Sequence, residues 1–347
     1  MPVPSRKTRT TMASRAITAV VLALAVLVPQ SVGAAEDSAG RIWFIGTHWA
    51  ARGGRIDAEA QEKRFTYYRL APDGTWEQAG RGKFLETTEP AVPTTIYIHG
   101  NRTGPSGAVC DAWRIHRRMK RDAAGRPFRL VIWSWPAGRV CRRIRADVQT
   151  KACYSDTQGY YLARLLADVP RDARVTLVGY SFGARVITGA LHILGGGKVA
   201  GRELNDGQLP KSSTDNGAGR GEEPERSAGK RIPFRAVLVA AALDAGSLSP
   251  GCRNHLATTQ VDRILVTCNP CDRVLRWYPR LYGRSGPEAM GYAGACCCGP
   301  PCDKIEQVDV TCSVGRNHSW ARYTCSEPLM QRLAEYTFLE DASPRSP

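Results

Sequence analysis

The stretch from Val175 to Arg185 constrains this chain more than any other. Val175-Thr-Leu-Val178 is a short apolar run rich in β-branched residues. Gly179-Tyr-Ser-Phe-Gly183 follows without a spacer, and an amphipathic run extends from Ala184 to Leu194. A strand that enters a helix through so short a link must turn sharply. Positions two residues either side of the apex then have no room for a side chain, which accounts for glycine at 179 and 183. Ser181 is expected to project from the end of a strand at the start of a helix, where the dipole favours a developing negative charge. The same five-residue pattern arises by chance in chains rich in Gly and Ser, so its context has to decide its meaning.

The context is an alternation of strands and helices. Strands are expected at Arg41–Trp49, Arg64–Leu70, Thr94–Gly100, Phe128–Trp135, Val175–Val178, Arg235–Asp244, Val261–Cys268 and Ile305–Thr311. Asp73-Gly74 reads as a turn leading into a short hairpin return after the second of these. Helices are expected over Ala108–Ala123, Val140–Leu166 and Pro328–Leu339, besides the one that follows Ser181. From Thr94 onward this order implies an α/β fold with a mostly parallel, doubly wound sheet covered by helices on both faces. Residues 36–93 supply the first strands and 94–342 the main body. Gly195–Lys230 is rich in Gly, Ser and charge and nearly free of large apolar residues, and it reads as a disordered insertion.

The first 35 residues have a different character. Arg6, Lys7, Arg9 and Arg15 precede an apolar run from Ala16 to Val28, and Ser31–Ala35 is built of small residues apart from Val32. This pattern is that of a secretory signal peptide, and the run is short for a membrane span. The expectation is an exported protein, released to the periplasm, cell envelope or medium. The formal charge of +16 falls to about +12 once the four basic residues of the leader are set aside. Such a balance suggests weak binding to anionic surfaces. Export and the lack of any recognition motif argue against nucleic acid. Twelve cysteines in an exported chain read as disulfides of open connectivity; a bond between Cys268 and Cys271, if formed, would stiffen the loop presenting Asp272. Zinc or redox chemistry at Cys268/Cys271 or Cys296–Cys302 is the rival reading; adjacent cysteines at 296–298 suit a tetrahedral cage poorly.

A nucleophilic serine needs a base, and the base needs an orienting acid. Of the histidines, His48, His99 and His116 precede Ser181, and His192 lies within the helix leaving the turn. His318 follows the last expected strand in a loop, where an imidazole can reach the strand ends, and His255 is the fallback. Two aspartates compete as the acid. Asp272 follows the Val261–Cys268 strand and Asp244 ends the strand before it; Asp272 is preferred, because the last strand but one usually presents the acid. The backbone N–H of Phe182 and that of Asn101, after the Thr94 strand, are the expected oxyanion donors. Trp135, Trp277, Tyr278 and Trp320 fall near these loops as candidate pocket walls, whereas Trp133 is expected in the core.

Taken together, these residues resemble the α/β-hydrolase superfamily, specifically its esterase/lipase-like serine hydrolases. An uncharacterised bacterial domain-of-unknown-function family is the nearest within it. The likeness is carried by His99-Gly100, Ser134-Trp-Pro136, Gly179–Gly183, Asp272-Arg-Val-Leu275 and His318-Ser-Trp320, in that order. Tyr180 and Phe182 depart from that family, which more often has His and Met there. The resemblance implies hydrolysis of a small-molecule or lipid ester through an acyl-enzyme on Ser181, with Asp272 and His318 completing the triad and no metal or organic cofactor. A non-catalytic binding protein on the same fold is the alternative.

Overall fold

A computed structural model describes residues 40–338, apart from 55–56, 171, 205–233, 284 and 297–298. The leader therefore lies outside the described residues. A nine-stranded sheet runs in the order β3-β2-β1-β5-β4-β6-β7-β8-β9. Its strands are β1 (Ile42–Gly46), β2 (Thr66–Leu70), β3 (Trp76–Ala79), β4 (Thr94–Ile98), β5 (Arg129–Ser134), β6 (Val175–Tyr180), β7 (Phe234–Val239), β8 (Val261–Cys268) and β9 (Ile305–Asp309). The β1–β2 and β2–β3 pairings are antiparallel, and every other pairing is parallel. The Asp73-Gly74 turn does join β2 to an antiparallel return strand.

Strands β4 to β7 are buried at every position, as a sheet covered on both faces requires. The covering helices are α1 (Pro105–Asp122), α2 (Ile144–Ala167), α3 (Phe182–Leu194) and α4 (Glu327–Phe338). α2 packs along α3, and α1 packs against α4. Thr95 and Thr176 on the sheet reach α4, bonding Thr337 Oγ1 and the Tyr336 carbonyl. α1 leads from β4 to β5 on one side, whereas α3 leads from β6 to β7 on the other. The chain therefore reverses direction between the adjacent strands β4 and β6. That reversal opens a crevice beyond their carboxyl ends, the place where open α/β sheets bind ligands.

Two expectations need correction here. Residues 195–204, counted above with a disordered insertion, belong to the folded body. Val199 pairs with Arg202 in an isolated bridge, and Val199 and Leu204 are buried. The N–H groups of Gly195, Gly196 and Gly197 bond carbonyls of α3, and Gly197 lies against the His192 ring. The remainder of that segment, 205–230, lies outside the described residues. The cysteines also differ from expectation. Cys302 is disulfide-bonded, but nine others are free thiols, Cys268 and Cys271 among them. Most lie at the surface on separate elements, so an even number of cysteines did not bring them within bonding reach.

The body also encloses three imidazoles in their neutral form. Burial lowers His99 to about 3, and His48 and His116 to about 4, with Arg52 and Lys120 adding to the effect on the latter two. His99 Nδ1–H donates to the Gly100 carbonyl while Nε2 accepts the Trp135 N–H, so both nitrogens are satisfied without a charge. In the unfolded chain these groups take up a proton near pH 6.5, so unfolding at lower pH takes up protons and stability falls as pH falls. Asp111 opposes them, because burial raises it to about 6 and it gains its proton first in the fold. At about pH 5 the four groups leave a net uptake of about two protons on unfolding. Denaturation free energies measured between about pH 7 and 4 should decline with that slope; a flat profile would contradict it.

Candidate active site

Ser181 follows β6 with φ +55° and ψ −111°, a backbone conformation that side-chain-bearing residues seldom adopt. The neighbours hold it there. The Ser181 N–H donates to the Val239 carbonyl, and the Ser181 carbonyl accepts from Ala184 and Ala242. A Cβ at Gly179 would lie 2.6 Å from the Ala184 nitrogen, and one at Gly183 only 2.1 Å from the Ile98 carbonyl oxygen. Both glycines are thus dictated by backbone packed against backbone.

Ser181 Oγ stands 3.1 Å from His318 Nε2, and His318 Nδ1 stands 2.7 Å from Asp272 Oδ2. The three side chains come from beyond the ends of β6, β8 and β9, far apart in sequence. Asp272 is fully buried, and its carboxylate has four partners. Oδ1 accepts the N–H groups of Val274 and Leu275, while Oδ2 accepts the Tyr323 hydroxyl and His318 Nδ1–H. A carboxylate accepts and does not donate, so the imidazole proton sits on Nδ1 and Nε2 is free to accept from the serine hydroxyl.

Asp244 is placed elsewhere. Its carboxylate accepts the Tyr278 hydroxyl at 2.8 Å, and His318 bonds Asp272 instead. His255 bonds the Cys252 carbonyl and faces His192, away from the serine. A second Ser–His contact, Ser134 Oγ to His48 Nε2 at 2.9 Å, has no carboxylate bonded to its imidazole among the described residues.

The support around the three groups is largely aromatic and was not legible in the pattern of the chain. Tyr180 packs near His318, Trp320 and Tyr323, and its hydroxyl donates to the His318 carbonyl. Burial, and after it the nearby Asp272 carboxylate, push the Tyr180 phenol well above its ordinary range, which keeps it a donor. Cys268 and Cys271 are unbonded, and Asn269 instead stiffens the Asp272 loop. Its Oδ1 accepts the Cys271 N–H and its Nδ2 donates to the Gly315 carbonyl, tying the Asp272 loop to the His318 loop. The only signal for Tyr323 and Asn269 was their nearness in sequence to the two site residues.

A cavity of about 440 Å³ opens over the serine. Ser181, His318, Asn101 and Phe182 line one side, with Ile144, Val148, Leu275 and Leu281 forming apolar walls. Phe182 is the first residue of α3, so its N–H is among the amides a helix leaves without an internal partner. Asn101 sits in the loop after β4, where its side chain accepts the Arg102 N–H and turns the chain. Trp277 and Tyr278 line the cavity, whereas Trp133 and Trp135 are wholly buried and Trp320 packs against Tyr180. Among the described residues no three of His, Cys, Asp and Glu are grouped closely enough to hold a metal ion. No protein-family model matches the chain, and a search of the curated proteins returns no match. The family resemblance accordingly rests on its five ordered motifs.

Proposed function

We propose that this protein is an exported serine hydrolase of the α/β-hydrolase fold, cleaving an ester or related acyl bond. The observation that carries the reading is the continuous chain Ser181 Oγ–His318 Nε2, His318 Nδ1–Asp272 Oδ2 at the mouth of an apolar cavity. In this reading Ser181 attacks the acyl carbon while His318 takes its proton. Asp272 holds the imidazole in the required tautomer and stabilises the imidazolium. The oxyanion forms at the start of α3, where the Phe182 and Asn101 N–H groups are the donors and the helix dipole adds to them. His318 then passes the proton to the leaving alcohol. A water activated by the same imidazole releases the acyl group and restores the serine.

The test is covalent labelling by a fluorophosphonate. The folded wild-type protein should be labelled on Ser181, and a protein that binds ligands on this fold without catalysis would remain unlabelled. The same reading makes Tyr323 a positioning residue, since its hydroxyl occupies the oxygen of Asp272 that faces His318. One hydrogen bond to a charged group is worth about 1.5 kcal/mol. Tyr323→Phe should therefore lower kcat about tenfold with KM little changed. A pH–rate profile should shift in parallel, an effect that a merely structural role for Tyr323 would not produce.

A further inference from the structure

The active-site cavity adjoins a second one of about 390 Å³ whose lining is Arg273, Arg276, Arg280 and Trp277. Arg273 and Trp277 line both, so a molecule held in one can reach the other. Elsewhere in the fold arginines meet carboxylates: Arg185 and Arg253 share Asp156, Arg164 meets Glu62 and Arg332 meets Glu306. Among the described residues no carboxylate pairs with Arg273, Arg276 or Arg280. Three like charges facing one cavity repel one another, and an anion placed among them relieves that repulsion.

The cluster is also held in place. The Arg280 guanidinium lies 3.6 Å from the centre of the Trp277 ring, a contact that fixes the plane of its donors. The Arg276 N–H donates to the Asp272 carbonyl, so the basic segment is continuous with the loop that carries the acid. Guanidinium forks match the paired oxygens of phosphate and carboxylate groups.

We infer that this pocket is a substrate subsite. The ester cleaved at Ser181 carries an anionic oxygen group, a phosphate or carboxylate, which Arg273, Arg276 and Arg280 bind while the apolar part fills the neighbouring cavity. The inference rests on the hydrolase reading for the reaction, but its binding half can be tested without catalysis. Hexyl phosphate should bind Ser181→Ala in titration calorimetry, weakening at least tenfold when Arg276→Gln and Arg280→Gln are added and weakening again at high salt. Both arginines are exposed, so this double variant should fold normally.

Kinetics on the wild-type serine then place the charge. Matched butyrate-length esters should be compared with the anionic group absent, on the acyl side, or on the alcohol side. One anionic arm should exceed the neutral ester at least tenfold in kcat/KM, and the double variant should bring that ratio to within about twofold of one. Neutral preference in both arms, or an anionic preference that survives the double variant, overturns the inference. Absence of hexyl phosphate binding overturns the subsite even where Ser181 is labelled. Binding without any labelling keeps the subsite and rejects the hydrolase reading instead.

Discussion

Replacing Ser181 by Ala should abolish fluorophosphonate labelling and lower ester turnover by about 10⁴- to 10⁶-fold, the range in which loss of a triad serine falls. The fold should survive, because the hydroxyl contributes one contact to His318 and none to the core. Circular dichroism and melting temperature should match wild type. Asp272→Asn is the sharper companion. The Val274 and Leu275 N–H groups claim the amide oxygen, which leaves the NH2 facing His318; it donates to Nδ1 and drives the imidazole toward the tautomer that carries its proton on Nε2. That tautomer cannot accept from serine, and a loss of about 10⁴-fold follows. Asp244→Asn should stay within about tenfold of wild type, since Asp244 bonds Tyr278 and leaves His318 untouched. A strong loss in Asp244→Asn with a mild one in Asp272→Asn would overturn the assignment of the acid.

Gly183→Ala should be the most damaging small substitution for stability. The added methyl would stand 2.1 Å from the Ile98 carbonyl oxygen and 2.9 Å from its carbon, and 3.2 Å from the carbonyl oxygen of His99. These are backbone atoms of β4 and the loop beyond it, in the centre of a sheet buried on both faces. No rotamer change relieves the contact, so α3 must move away from β4 or the strand must bend. A cost of at least about 3 kcal/mol is expected, with a fall in Tm of about 5 °C or more. Gly82→Ala serves as the control: nothing lies within 4 Å of a Cβ there, and the residue sits in a short helix over Arg81–Glu86. That change should be neutral or slightly stabilising. Equal melting of the two variants would contradict the close approach of α3 to β4. A folded but inactive Gly183→Ala would show that the turn, and with it the serine, had been displaced.

Much of this arrangement could be read from the order of residues because local physics enforces it. A β-branched run, two obligatory glycines and an amphipathic helix leave the Val175–Leu194 unit few alternatives. The same kind of local signal located β4, β5, β8 and the helices near them, with boundaries moved by a few residues. Val140–Leu166, for example, begins its helix only at Ile144, where the preceding backbone is extended. Distance along the chain hid the rest. Cysteine number says nothing of which thiols face one another, and the stiffening that a Cys268–Cys271 bond would have given comes from Asn269, whose amide spans two loops. Glycine content concealed the anchoring of residues 195–204, where Val199 and Leu204 are buried and the Gly195, Gly196 and Gly197 N–H groups bond carbonyls of the preceding helix.

What the sequence by itself determined is the turn at Ser181 and the class of sheet that carries it, because steric exclusion at Gly179 and Gly183 follows from so short a link between strand and helix. It also put His318 first as the candidate base, with His255 behind it, and preferred Asp272 to Asp244 as the candidate acid. Only the tertiary structure shows which of the two aspartates meets the imidazole. Asp272 rather than Asp244 lies 2.7 Å from His318, and it is buried under four hydrogen bonds that come from its own loop, Tyr323 and His318. The arginine pocket beside the serine is likewise a matter of which side chains converge in space. The dispersed positive charge of the chain acquires a location only once the segment after Asp272 turns Arg273, Arg276 and Arg280 toward one cavity.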